Sequence, residues 1–154
     1  MGVPICRTHT KRFNYSLIVL SMYLVYILTC DSKSYVGMTN DFFRRWRQHI
    51  GELQGGAKYT TRCGKDWYPI CIIDGFETMR EAMQCEWKLK RRQKGIKGGG
   101  AQGCVARLSH ILENDTHWTS KSPLIDEQSL TIYIDEEYNK NIPTRLPVRE
   151  LYWR

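Results

Sequence analysis

MYLVYILTCDSKSYVGMT, residues 22–39, decides the architecture. Its first half, MYLVYILT, is an apolar run rich in β-formers. Apolar residues at successive positions mark a strand buried on both faces, at the centre of a sheet. Asp31-Ser32-Lys33 is a turn signal, and SYVGMT follows as a second short strand. Two strands joined by so short a link make an antiparallel hairpin.

The apolar run also extends upstream. Residues 13–30 carry no charge and follow the basic pair Lys11-Arg12. A secretory signal has that basic start and apolar middle. Here Ser21-Met22-Tyr23 interrupts the middle, and no small-x-small cleavage site precedes Asp31. An uncharged stretch of 18 residues with three tyrosines is marginal as a membrane span. The reading is an N-terminal extension over 1–21 joined to a strand that begins near Met22.

Downstream, Thr39 or Asn40 is placed to cap a helix over DFFRRWRQHIGEL. Phe43, Trp46, Ile50 and Leu53 would form its buried stripe, and Gly55-Gly56 would end it. AKYTTRCGKD reads as a polar loop. WYPICIIDGF reads as a third strand whose pairing Pro69 limits. Thr78 caps a second helix, MREAMQCEWKLKRRQ, with Met79, Ala82, Met83 and Leu89 as its apolar face. A helix over about 105–113, a strand at 130–134 and a loop-like end complete the chain. The order ββ-α-β-α plus a tail predicts an α+β domain around a small, mostly antiparallel sheet flanked by helices, with a partly helical C-terminal extension.

The 154 residues carry a net charge of +7. Residues 31–97 hold +6, whereas 98–154 hold −2. The basic surface therefore belongs to residues 22–97, and residues 98–154 read as a separate extension. A concentrated positive surface suits a polyanion, most often nucleic acid. The six cysteines form no Cys-x-x-Cys pair and no zinc array, and Cys71 and Cys85 lie in apolar patterns. They read as free thiols of a reducing compartment.

Four features bear on chemistry. Glu86 lies on the apolar face of the second helix, where a carboxylate needs a compensating cation, either a metal or a lysine in a salt bridge. Arg45 and His49 share a helical face at i, i+4 spacing. Arg44, Arg47 and Gln48 cover the adjoining surface, which taken alone is an ordinary solvated basic face. Tyr26 and Tyr35 sit in the strands, where tyrosines usually pack with a wet tip.

Taken together, Leu24-Val25-Tyr26, Tyr35-Val36-Gly37, Arg45, His49 and Glu86 resemble the GIY-YIG nuclease superfamily over residues 22–93. The first motif departs from the family pattern, with Leu24 where the family has glycine. GELQGGAKYTTR (51–62) and WYPICIIDGFETMREAMQCEW resemble more closely the catalytic subunit of the eukaryotic Slx-type structure-specific endonuclease. That subunit continues into a zinc-binding RING-type domain that docks a scaffold. No such cysteine/histidine array occurs in this sequence, so the expected form is a minimal enzyme working alone or as a homodimer, with a scaffold as the alternative.

The resemblance implies a nuclease with catalytic residues Tyr26, Tyr35, Arg45, His49 and Glu86. It would hydrolyse branched DNA, such as Holliday junctions, flaps and forks, to 5′-phosphate and 3′-hydroxyl ends. Glu86 would hold Mg²⁺, with Mn²⁺ able to substitute. Arg45 would stabilise the phosphate. Tyr26 would be the general base, directly or through the water it orients, with Tyr35 positioning water or phosphate. His49 would share the proton or hold the scissile phosphate. Arg44 and Arg47, the loop residues Lys58, Tyr59, Thr60 and Arg62, and the basic run with Lys88, Arg91 and Arg92 would bind DNA. KLKRRQK doubles as a nuclear import signal, so the expected place is the nucleus or another DNA-containing compartment. Two rival readings remain at this stage: a sequence-specific homing or restriction-type nuclease, and a non-catalytic DNA-binding module on the same fold.

Overall fold

The structure, a computed structural model, describes residues 22–151. The expectations for residues 1–21 lie outside the described residues. Five strands form one sheet: β1 (Tyr23–Cys30), β2 (Lys33–Thr39), β3 (Tyr68–Phe76), β4 (Thr131–Ile134) and β5 (Val148–Glu150). Their order is β2-β1-β3-β4-β5. All neighbours pair antiparallel except β4 and β5, which are parallel. The hairpin reading of residues 22–39 therefore holds, with Tyr26 opposite Gly37.

Alternation along β1 sends its side chains to two cores. Val25 and Ile27 enter one core with α3 (Met79–Lys90) and α4 (Gly100–Asn114). Leu24, Tyr26 and Leu28 enter the other, which holds Phe42 of α1 (Phe42–His49) and the buried Trp67. Pro69 lies in a central strand without harm. It stands opposite Leu28 just past a register shift, and β4 pairs only with Cys71–Asp74.

Several local expectations change. The N-cap of α1 is Asp41, whose carboxylate accepts the Arg44 N–H at 3.1 Å. The helix stops at His49, so Phe43, Trp46, Ile50 and Leu53 are only half-buried, and Phe42 and His49 are its buried residues. The presumed polar loop contains a short helix, α2 (Lys58–Cys63). Thr78 caps α3 as expected, in a reciprocal capping box with Glu81. The inward face of α3 is Ala82, Cys85 and Leu89, whereas Met79 and Met83 are half exposed.

α4 starts at Gly100, ahead of the expected 105. A side chain at Gly103 would meet the Gly98 carbonyl at 2.4 Å, so glycine lets the helix start pack against the preceding loop. The end of the chain contributes β5 where a loop was expected. Residues after 97 thus complete the sheet and share its core. Cys30, Cys63, Cys71, Cys85 and Cys104 are free, and burial raises Cys71 to about 12. No helix among the described residues is long and apolar enough to cross a membrane.

Candidate active site

The site forms where the β1–β2 hairpin meets α1 and α2. Tyr26 Oη lies 2.7 Å from His49 Nε2, and both residues are 1% exposed. His49 Nδ1 lies 2.8 Å from Thr60 Oγ1. The Thr60 hydroxyl donates to the Ala57 carbonyl at 3.0 Å. Its only proton is therefore committed, so Thr60 accepts from His49 Nδ1–H. Nε2 is then unprotonated and accepts from the Tyr26 hydroxyl. The chain of bonds runs one way: Tyr26 to His49 to Thr60 to Ala57.

Packing fixes this chain. Trp67 donates its indole N–H to the Thr60 carbonyl at 3.0 Å, and Trp46 donates to the Trp67 carbonyl at 2.9 Å. These bonds tie α1 and α2 to the start of β3. Gly37 leaves room for the Tyr26 ring, because a Cβ there would lie 2.3 Å from its oxygen. The Tyr35 ring sits 4.7 Å from the His49 ring, centroid to centroid.

The electrostatics follow from burial. The Tyr26 pKa is raised, first by desolvation and then by Tyr35; Arg45 opposes this and is outweighed. The charge of Glu86 adds a smaller upward push. Burial, and then the Arg45 guanidinium, lower His49 to about 4. His49 is thus neutral at pH 7, as the bond directions require. Burial works against the charge of Arg45, but the phenol oxygens of Tyr26 and Tyr35 more than offset it. Its guanidinium is further braced by Gln48 Oε1 at 2.8 Å and the Gly55 carbonyl at 2.9 Å. Arg45 lines a groove of about 480 Å³ with Arg44, Gln48 and residues 39–41.

Glu86 comes from α3, at the edge of its buried face, with its side chain 20% exposed. Lys90, one turn later, bonds its Oε1 at 2.5 Å and lies 5.6 Å from the centre of the Tyr35 ring. The salt bridge with a lysine is thus present. The described residues contain no group of three or more His, Cys, Asp or Glu able to hold a metal. A lone, partly exposed carboxylate still fits Mg²⁺, which keeps most of its waters and takes one or two protein oxygens. It does not fit a closed zinc or calcium cage.

All five expected catalytic residues therefore converge, and some expected roles change. His49 cannot hold a phosphate, because it is buried and both ring nitrogens are engaged. Thr60 cannot bind DNA, because it is fully buried and orients His49 instead. Tyr26, at 1% exposure, is poorly placed to meet a water, whereas Tyr35 is half-buried and reachable. Lys88 pairs with Asp115 at 3.2 Å, which neutralises it. Arg47 pairs with Glu52 at 2.9 Å. Arg44, Lys58, Tyr59, Arg62, Arg91 and Arg92 are exposed, with Arg91 stacked 3.9 Å over Trp87. Sequence reasoning missed Thr60 as the partner of His49, and it offered a lysine for Glu86 without naming Lys90. The i, i+4 spacing of Glu86 and Lys90 was the available signal for the second.

The hairpin thus carries Tyr26 and Tyr35, α1 brings Arg45 and His49, and α3 brings Glu86. Residues 22–97 match the family model of the GIY-YIG catalytic domain, and the chain belongs to that superfamily. Among curated relatives it is similar to the structure-specific endonuclease subunit SLX1 homolog of Leishmania infantum, at 43% identity over 68 residues (41% of this chain, 10% of that protein). SLX1 homolog 1 of Trypanosoma cruzi is 32% identical over 126 residues, covering 73% of this chain and 22% of that protein. The slx1 subunit of Schizosaccharomyces japonicus is 28% identical over 138 residues, or 77% and 50%. The chain thus spans half or less of each of these relatives.

Proposed function

We propose that the protein is a structure-specific DNA endonuclease that hydrolyses phosphodiesters in branched DNA. The observation that carries this reading is the one-way hydrogen-bond chain from Tyr26 through His49 to Thr60, set beside Arg45 and Glu86. The named activity of the relatives agrees with it.

DNA enters the groove along Arg44 and Arg45. The Arg45 guanidinium, always charged, meets the phosphate as negative charge builds on it. Tyr35, the reachable tyrosine, orients the attacking water through its phenol oxygen, and the proton that the water loses passes to bulk solvent as the bond to the 3′ oxygen breaks. Tyr26 keeps its own proton directed at His49, and so holds Arg45 and Tyr35 in register. Glu86 would hold one divalent cation, Mg²⁺ or Mn²⁺, which supplies Lewis-acid chemistry at the phosphate and the leaving 3′ oxygen. Before that, Lys90 must give up the carboxylate. Products carry 5′-phosphate and 3′-hydroxyl ends.

The curated relatives are named as subunits, so a scaffold partner is the first assembly to test, ahead of a homodimer. The place of action is the nucleus or another DNA-containing compartment. Cleavage of labelled junctions, flaps, forks and linear duplexes with Mg²⁺, alone and with candidate partner subunits, tests the reading. Branched substrates should be cut, Glu86→Gln should abolish cutting while leaving binding largely intact, and sequence-dependent cutting of linear duplex would overturn it.

A further inference from the structure

Beside the catalytic cluster lies a second concave site of about 580 Å³. Lys90, Arg92, Lys97 and Arg107 line it, together with Ile96 and the glycines 98–100. Among the described residues no acidic side chain lines it. Lys90 is answered by Glu86 from outside these walls, but Arg92, Lys97 and Arg107 make no ion pair among the described residues, and three such cations converge unfavourably unless an anion answers them. The walls are also fixed in advance. Arg107 donates to the Leu89 carbonyl at 2.9 Å, which anchors it to the end of α3. A side chain at Gly100 would meet the Ser32 carbonyl at 2.6 Å, so the glycine loop is seated against the β1–β2 turn. At Gly98 and Gly99 an added Cβ would meet nothing within 4 Å, which leaves that wall open to a ligand.

We propose that this cavity is a second phosphate site, taking one backbone phosphate of a DNA arm that runs on from the cleavage groove. The proposal rests on the endonuclease reading for the identity of its ligand. Lys90 joins the two sites, since it lines the cavity and touches Glu86. Arg107 and the glycine wall lie beyond residues 22–97, the part that matches the family model. The segment that completes the sheet therefore also completes the phosphate site. A phosphodiester suits the site better than a lone carboxylate, because its two free oxygens can meet cations from several directions at once.

The double variant Arg92→Ala/Lys97→Ala tests this, since both residues are exposed and carry no core packing. Binding to a labelled flap DNA is measured by anisotropy in EDTA, across a salt series. Loss of one phosphate contact should reduce the slope of log affinity against log salt by about 0.9 and weaken binding roughly tenfold near 0.1 M salt. In parallel, the amide signals of residues 98–100 are followed by NMR in the unaltered chain. They should shift on addition of DNA. An unchanged salt slope in the double variant overturns the phosphate site while leaving the endonuclease reading intact. Shifts with inorganic phosphate or polyglutamate, but none with DNA, overturn it as well. Failure of the unaltered chain to bind branched DNA at low salt overturns the endonuclease reading itself.

Discussion

Tyr26 donates its phenolic proton to His49 at 2.7 Å, and the direction of that bond is fixed two residues away, at Thr60. The pair is therefore neutral at rest. With His49 lowered to about 4 and Tyr26 pushed upward, neither titrates between pH 6 and 8. Cleavage rate over that range should follow metal and water chemistry, with no inflection from His49. Stability should respond at lower pH. The folded-state pKa of His49 lies below the unfolded value of about 6.5, so the unfolded chain binds more protons in between. This contribution is present above about 6.5 and is lost as pH falls toward 4. It amounts to up to about 3 kcal/mol. Urea unfolding from pH 4 to 8 checks it, with His49→Gln as the reference. A reference profile as steep as that of the unaltered protein would sink the assignment.

Thr60→Val keeps the shape of the side chain and removes both of its hydrogen bonds. A buried His49 N–H is then left without its acceptor, at a cost of roughly 1–3 kcal/mol. The imidazole also loses the contact that sets its tautomer. Cleavage should fall at least about tenfold, because the Tyr26 hydroxyl no longer has a fixed acceptor. Binding to DNA should change little, since Thr60 is fully buried. Equal losses in binding and cleavage would instead place Thr60 on the DNA surface.

Gly37 leaves room for Tyr26 rather than adopting a special backbone angle. A methyl group at position 37 would lie 2.3 Å from the Tyr26 oxygen and 2.9 Å from the Tyr35 ring. Gly37→Ala should displace both tyrosines, destabilise the domain by roughly 1–3 kcal/mol and abolish cleavage. Thermal unfolding and the junction assay read the two effects separately. Full activity in this variant would mean that Tyr26 need not sit against β2.

The hairpin was legible because a β-rich apolar run and a turn signal act locally. The convergence of Tyr26, Tyr35, Arg45, His49 and Glu86 was legible only through resemblance, since each residue alone has an ordinary structural reading. Thr60 was misread for a physical reason: in a polar stretch with Lys58 and Arg62, a buried threonine looks like a phosphate contact. Its backbone carbonyl is held by Trp67, seven residues on, through a tertiary bond. The inward face of α3 was misread by including Met79 and Met83, because periodicity gives a face only to within one helical position. The strand at 130–134 was legible and is β4, but its pairing with β3 is long-range, and β5 has too few residues to announce itself.

Asp74 offers a test outside the catalytic cluster. It lies in β3 between Leu24 and Thr131, is buried, and its Oδ1 has no hydrogen-bond partner among the described residues. Desolvation raises its pKa to about 6, although the Gly75 N–H pulls the other way. Here the folded value lies above the unfolded one, so the folded chain binds more protons between about pH 4 and 6. Stability contributed by the protonated form is therefore lost as pH rises through that window. Asp74→Asn keeps the shape and removes the buried charge. It should raise stability at pH 7 by roughly 1–3 kcal/mol and make little difference at pH 4. Urea midpoints at the two pH values measure this directly. A variant destabilised at pH 7 would show that the Asp74 carboxylate is charged and paired there, in opposition to this account.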